Sequence, residues 1–488
     1  MSSISKIQKG QFPLDISSLI ERVPHKPAYL NEIPFDIKDW ILAFINEPKH
    51  LLRMALVSKD WESLIIPNHL QYRILDARLD RGYLWDHLSV RADLAKNIHT
   101  VRLMAPTDHQ RERYPVTLCP PPEDFEELEL SKIASAFRNF KSLRSLTWMT
   151  NMSFRTLPNL VFGSLLQCHC LEELRLGQIA AQLENSDVES LWKLSNIKRL
   201  VLRGTIWARC LGTMEDAFAG FLNKLPELEE ITISYNPISP VFTSCALPKL
   251  KKLHLWPEYN VALLGQNILS PDSDMLQFLE SHPTIEDLRW YPIDQGLPLP
   301  QGLLPSLKRI LTTDRIAKTL LHDGSIVPER RMELISQISL GPNTIRLLQG
   351  MNGAYLQELH LWRFEDLEQI EGLGKLFPNI QTIDIPNFGR TGRYSADELI
   401  DTLACFLHLE RFLDSSLWLA ISLMPSKDGI QKLVNRLAAS CPRLQTLRHW
   451  KRVNNLSWNV ILKRRPVNEI WMYGDDVNWV EQEEFEED

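Results

Sequence analysis

Apolar positions along the chain fall into one short word, apolar-x-x-apolar-x-apolar, that recurs many times. It reads Leu171-Leu174-Leu176, Ile197-Leu200-Leu202, Leu228-Ile231-Ile233 and Leu250-Leu253-Leu255. It continues as Ile285-Leu288-Trp290, Leu356-Leu359-Leu361, Ile380-Ile383-Ile385 and Leu444-Leu447-His449. Weaker copies stand at Ile98-Val101-Leu103, Leu143-Leu146-Trp148, Leu307-Ile310, Ile335-Ile338-Leu340, Leu409-Phe412 and Val467-Ile470-Met472. The last two apolar residues of each word alternate with polar ones, which predicts a short strand with one face turned inward. Between words, "EDAFAGFLNKL", "SDMLQFLES", "DELIDTLACFL" and "DGIQKLVNRLAAS" carry apolar residues at intervals of three and four, the pattern of a one-sided helix. Proline often follows, as in "KLPELEEITI", "SHPTIEDLRW" and "SCPRLQTLRH". It disfavours helix in the residue before it and so turns the chain toward the next strand.

Words whose starts fall mostly 21 to 35 residues apart, with one longer early gap, each a strand plus a helix, resemble leucine-rich repeats. The resemblance runs from about residue 98 to 475. The expected fold class is α/β: a short N-terminal helical domain, then an irregular repeat solenoid with a parallel sheet inside the curve and helices outside. The divisions read from the sequence are an extension over 1–27, a helical domain over 28–75, a linker or cap over 76–97, the solenoid over 98–475 and an acidic tail over 476–488. That tail, ending "EQEEFEED", reads as solvated and mobile.

Ahead of the repeats lies "LNEIPFDIKDWILAFINEPKHLLRMALVSKDWESLIIPNHLQYRIL". Pro34 can open a helix in which Ile37, Ile41 and Ile45 recur every four residues, with Trp40 and Phe44 beside them. "NEP" breaks it, "HLLRMALVSKDWESLII" restarts helical spacing, and Pro67 ends it. Two or three short helices with apolar groups on more than one face need a covering surface. Periodicity alone allows either a partner protein or a cap over the first repeat.

"IPFDIKDWILAFI" followed by "LLRMALVSKDW" resembles an F-box. Ile33, Pro34, Asp36 and Ile37 match that family's start, Ile41, Leu42 and Ile45 its middle, and Leu51, Leu52, Leu56, Val57, Ser58 and Trp61 its end. Ile33 replaces the usual Leu, and "NEPKH" lengthens the middle turn. The resemblance implies the substrate-recognition subunit of an SCF-type cullin-RING ubiquitin ligase, docked on a Skp-type adaptor and through it on a cullin. Ile33, Pro34, Ile37, Ile41, Leu52, Val57 and Trp61 are then expected in or directly behind the docking face. A leucine-rich-repeat scaffold or inhibitor, with these helices serving only as a cap, is the alternative reading.

In such a solenoid the polar positions of each word face the concave side. The central one reads Arg102, Thr147, Arg175, Val201, Thr232, His254, Arg289, Leu311, Ser339, His360, Asp384, Leu413 and Arg448 along the chain. The next carries Trp256, Tyr291, Trp362 and Trp450. Arginine and large aromatic groups supply much of the energy at protein interfaces, and arginine forks fit carboxylates and phosphates. The candidate target site is therefore Arg175, His254, Trp256, Arg289, Tyr291, His360, Trp362, Arg448 and Trp450, with an acidic or phosphorylated protein as the expected target. Glu173, Glu230, Asp287 and Glu358 flank the same strands and can neutralise these cations.

Charge changes this picture little. The net charge of −7 is mostly the acidic C-terminus, so the body gives no case for a nucleic-acid partner. No stretch approaches the roughly 20 apolar residues of a membrane span, and no membrane partner is expected. Seven cysteines with no CxxC read as reduced thiols of a cytoplasmic or nuclear protein. Cys168, His169 and Cys170 lack a second ligand pair at zinc-site spacing. No P-loop, GxGxxG, HExxH or GxSxG occurs, so no catalytic residue, metal or cofactor is expected.

Overall fold

The computed structural model describes residues 33–43, 45, 48–70, 73–79, 81–104, 125–149, 159–177, 185–235, 242, 245–257, 272–294, 297–322, 331–351, 353–385, 394–453, 456–464 and 477–483. The chain falls into two compact units, Met1–Arg73 and Ile74–Asp488.

In the first unit, α1 (Phe35–Ala43), α2 (Pro48–Ala55) and α3 (Lys59–Ile65) are followed by a wide turn over Ile66–Leu70. Ser58 caps α3, its hydroxyl accepting the Trp61 N–H at 3.3 Å. Leu42, Leu51, Ala55, Trp61, Leu64 and Ile65 form the buried core, with Ile45, Met54, Ile66 and Leu70 packed against it. The Asp39 carboxylate meets His69 Nε2 at 2.7 Å, tying α1 to the end of the unit.

The second unit is a leucine-rich-repeat solenoid, built on one sixteen-stranded sheet among the described residues, its strands in sequence order. They are β1 (Ile74–Arg78), β2 (Thr100–Met104), β3 (Ser145–Trp148), β4 (Glu173–Leu176), β5 (Arg199–Leu202), β6 (Glu230–Tyr235), β7 (Lys252–Pro257) and β8 (Asp287–Arg289). There follow β9 (Arg309–Leu311), β10 (Leu334–Ser339), β11 (Glu358–Arg363), β12 (Thr382–Asp384), β13 (Arg411–Phe412), β14 (Thr446–Val453), β15 (Leu456–Arg464) and β16 (Val477–Glu483). Neighbours from β1 to β14 pair in parallel, while β14, β15 and β16 are antiparallel. The word explains the register: Leu174, Leu200, Ile231, Leu253, Leu288 and Ile310 pair successively and are each almost fully buried. The four helical stretches read from the sequence form helices at Glu215–Leu222, Asp272–Ser281, Ala396–Leu403 and Lys427–Ser440.

Three sequence expectations are corrected. The sheet begins at Ile74, not at residue 98, so the segment 76–97 belongs to the solenoid rather than to a linker. β1 pairs with β2 through Leu75↔Val101 and Ala77↔Leu103, and Ala77, 4% exposed, is too small to complete a recognisable word. In β10 the word is Met332-Ile335-Ile338, because Ile335 pairs with Ile310 and Leu359. A bulge at Gln337, with φ of 62°, absorbs one extra residue, so the central polar position there is Ser336 rather than Ser339. Finally, Val477–Glu483 is strand β16, antiparallel to β15, rather than tail; Val477↔Arg464 and Glu483↔Trp458 mark its ends. Residues 1–27, 484–488 and the word Val467-Ile470-Met472 lie outside the described residues.

Candidate functional site

Helix α1 carries its apolar stripe outward. Lys38 and Leu42 are buried against the unit's core, whereas Phe35, Ile37, Trp40 and Ile41 are exposed, Trp40 to 66%. Beyond α1, Leu51 and Ala55 of α2 point inward while Leu52 points out, and the turn before α3 exposes Leu56 and Val57, Leu56 to 78%. Of the expected docking residues, Ile37, Ile41, Leu52 and Val57 are thus exposed large apolar groups. Pro34 is exposed and Ile33 half-buried. Trp61, 2% exposed, belongs to the core, where the Lys38 ammonium lies 5.2 Å from its ring. Phe35, Trp40 and Leu56 are exposed as well without having been expected in the docking face; spacing placed Trp40 beside the stripe but could not show which stripe faced the core.

On the sheet, the residue just before each strand from β3 to β10 forms a row of alternating sign: Arg144, Glu172, Lys198, Glu229, Lys251, Glu286, Lys308 and Glu333. Each donates its backbone N–H to the carbonyl of the one before it. Lys198 meets Glu172 at 2.8 Å, Lys251 meets Glu229 at 3.8 Å and Lys308 meets Glu286 at 2.6 Å. The first strand position alternates too, as Glu173, Arg199, Glu230, Lys252, Asp287 and Arg309. These rows neutralise themselves.

The central row is half-buried at Arg175, His254, Arg289, His360 and Arg448. Several of its side chains are met by acids beside them. Arg175 Nε bonds Glu173 at 2.7 Å, and His254 Nε2 meets Asp287 at 2.8 Å. His360 lies 3.9 Å from Glu358 and 3.8 Å from Asp384. Burial pushes Glu173 up, but the Arg175 bond and the Arg199 charge outweigh it and hold the carboxyl below its usual range. His360 and Arg309 hold Glu358 low in the same way against its burial. Asp384 is pushed up by burial despite His360 and Arg448 nearby.

One group on this face is built differently. The Arg289 guanidinium lies 2.9 Å from the centre of the Trp256 ring and 5.6 Å from that of Tyr291, and Arg203 lies 4.5 Å from the same Trp256 ring. Ser234, paired with Trp256 and 2% exposed, leaves room for Arg203 to reach across from β5 to β7. Gln337, the bulged residue of β10, donates to the Tyr291 hydroxyl at 3.3 Å. Arg203 was not among the expected residues, although it follows Leu202 as Trp256 follows Leu255. Trp362, 62% exposed on β11, stands apart from the cluster, and the Trp450 side chain lies outside the described residues.

Cys168 is buried and Cys170 exposed, and burial pushes the Cys168 thiol up to about 12. Among the described residues no cluster of three or more His, Cys, Asp or Glu is placed to hold a metal, and no helix is long and apolar enough to cross a membrane.

No protein-family model matches the sequence, and no curated protein matches it. Among solved structures, the leucine-rich repeat-containing protein LegL7 from Legionella pneumophila aligns at 12% identity and a TM-score of 0.32, over 76% of this chain and 100% of that one. The internalin inlF from Listeria monocytogenes aligns at 13% identity and a TM-score of 0.31, over 68% and 94%. Human 5T4, Wnt-activated inhibitory factor 1, aligns at 17% identity and a TM-score of 0.23, over 54% and 76%.

Proposed function

We propose that this protein is the substrate-recognition subunit of an SCF-type cullin-RING ubiquitin ligase. Its first three helices dock on a Skp-type adaptor and so on a cullin, and the polar face of its repeat sheet holds the target protein. The observation that carries this reading is the exposure of Phe35, Ile37, Trp40, Ile41, Leu52, Leu56 and Val57 on a unit of small core. A unit this small rarely leaves so many large apolar side chains exposed unless a protein covers them. The F-box resemblance, which includes Ile37, Ile41, Leu52, Leu56 and Val57, names the cover. In this role the chain performs no chemistry: it brings target and transfer machinery together, in the cytoplasm or nucleus.

The test is co-purification of the intact chain with a Skp-type adaptor, alongside Pro34→Ala/Ile37→Asp. A charge on an exposed docking face abolishes the complex while circular dichroism of the repeats stays unchanged. An intact chain that retains no adaptor overturns the proposal and leaves a leucine-rich-repeat scaffold whose N-terminal helices have another role.

A further inference from the structure

We infer that the recess between the helices Asp314–His322 and Pro342–Gln349 binds a small organic dianion with an acidic group at each end of an apolar body. This goes beyond the proposed function and does not rest on it. None of the recess's described lining residues belongs to a strand or to the adaptor-docking surface.

The two helices, with the segment at Leu299 and Pro300, enclose a cavity of about 1060 Å³. That volume is close to the upper end of the roughly 300–1,000 Å³ of sites that hold small organic ligands. Its lining is partly apolar. Leu320 and Leu321, 4% and 3% exposed, lie at the end of the first helix, and half-buried Leu347 stands on the second.

The charged part of the lining is cationic. Arg315 and Lys318 come from the first helix and Arg346 from the second, against the acid Asp314. That acid is already committed: one oxygen meets the Lys318 ammonium at 2.8 Å, and the other accepts the Ser339 backbone N–H at 2.6 Å. Among the described residues, no acid stands within ion-pair distance of Arg315 or Arg346. None lies three or four residues from either along the chain, where a helix would bring it alongside. By contrast, Lys193 is answered by Glu189, and Arg436 by Asp397 and Asp401.

Two unanswered positive charges, one on each helix, therefore face one partly apolar recess. Clefts lined by one sign of charge concentrate ligands of the other. Each guanidinium offers a planar fork that takes a carboxylate through two hydrogen bonds. A monocarboxylate would leave one fork unanswered, and an inorganic anion would leave the apolar lining unused. A dicarboxylate with a carbon chain between its ends answers both forks and covers the leucines.

The test is isothermal titration calorimetry of the intact chain with straight-chain dicarboxylates from succinate to sebacate. Monocarboxylates of matched length, inorganic phosphate and a polyglutamate peptide are titrated beside them. At the best chain length the dicarboxylate is expected to bind at least about tenfold tighter than its monocarboxylate, a difference of about 1.4 kcal/mol, and tighter than phosphate or the peptide. Arg315→Gln and Arg346→Gln, both at exposed positions, each remove that preference and leave the melting temperature unchanged. Arg138→Gln, at an exposed arginine outside the recess, keeps it. No binding of any dicarboxylate, equal binding of the two acid classes, or a preference that survives in both recess variants overturns the inference. Phosphate bound as tightly as the best dicarboxylate overturns it in favour of an inorganic-anion site. A peptide bound more tightly overturns it in favour of a protein partner. Ile37→Asp, which removes adaptor docking, keeps the dicarboxylate preference, so the two proposals fail separately.

Discussion

His282 ties one repeat to the next: its Nε2 accepts the backbone N–H of Leu247 at 2.9 Å, while its ring stacks on Phe278 at 3.9 Å. Nδ1 lies 2.7 Å from the Phe278 carbonyl oxygen, to which it donates, so the neutral ring with its proton on Nδ1 satisfies every neighbour. A second proton would displace the Leu247 bond.

Burial, opposed by the Phe278 carbonyl, lowers the His282 pKa below its ordinary 6.5. As pH falls below that value, the unfolded chain takes up a proton that the folded chain still refuses. The stability contributed by the neutral ring is therefore lost on acidification, until the lowered folded value is reached. His282→Gln offers Leu247 an acceptor that does not titrate. Its melting temperature is expected to fall less than that of the native protein between about pH 7.5 and pH 5.5. Parallel falls in the two proteins would mean that groups other than His282 set the acid sensitivity.

The small helical unit separates core from surface in one comparison. Trp61→Ala empties a site 2% exposed and is expected to cost about 3–5 kcal/mol, enough to unfold a unit of this size. Leu56→Ala, at a site 78% exposed, is expected to change stability by less than about 0.5 kcal/mol. Hydrogen exchange over residues 33–70 of the intact chain reads both. Exchange at the native rate in Trp61→Ala would move Trp61 out of the core.

The apolar word made the solenoid legible because a period-two strand that returns at a longer regular spacing arises from little except stacked repeats. What escaped were places where one residue broke the word. Ala77 is too small to mark β1, and the left-handed Gln337 hides one residue of β10 from any fixed spacing. The acidic composition of the C-terminus concealed β16, whose pairing is carried by its backbone. At the candidate sites, residue types were legible and directions were not. Ile37 and Ile41 form an obvious stripe, but only packing shows that Lys38 and Leu42 take the inward side. The charge rows are present as "EE", "KR", "EE", "KK", "ED" and "KR" inside successive words, yet their alternation has meaning only once the register places them side by side.

That alternation predicts a salt-dependent defect. Lys251 stands between Glu229 and Glu286, with its ammonium 3.8 Å from Glu229. Lys251→Glu sets three carboxylates in a row and is expected to cost about 1 kcal/mol at low ionic strength. Most of that cost disappears near 1 M salt, where charges are screened within about 3 Å. Urea denaturation at both ionic strengths measures it. A loss that is the same in both would assign it to packing rather than charge.

Two glycines in the helix Leu367–Leu376 predict changes of opposite sign. A Cβ at Gly372 meets nothing within 4 Å, so Gly372→Ala gains helix propensity at no steric cost. It is expected to stabilise the solenoid by about 0.5–1 kcal/mol. A Cβ at Gly374 would stand 2.7 Å from Cys405 Cβ and 2.9 Å from the Cys405 carbonyl oxygen. Both atoms lie just past the end of the next repeat's helix, Ala396–Leu403, and cannot move far without shifting that helix. The close approach of successive helices is what lets one repeat stack on the next, and Gly374→Ala is expected to cost about 1–3 kcal/mol despite the same propensity gain. Denaturation midpoints of the two variants, two residues apart on one helix, should move in opposite directions. Stabilisation by both would mean that these repeats stack without needing contact at Gly374.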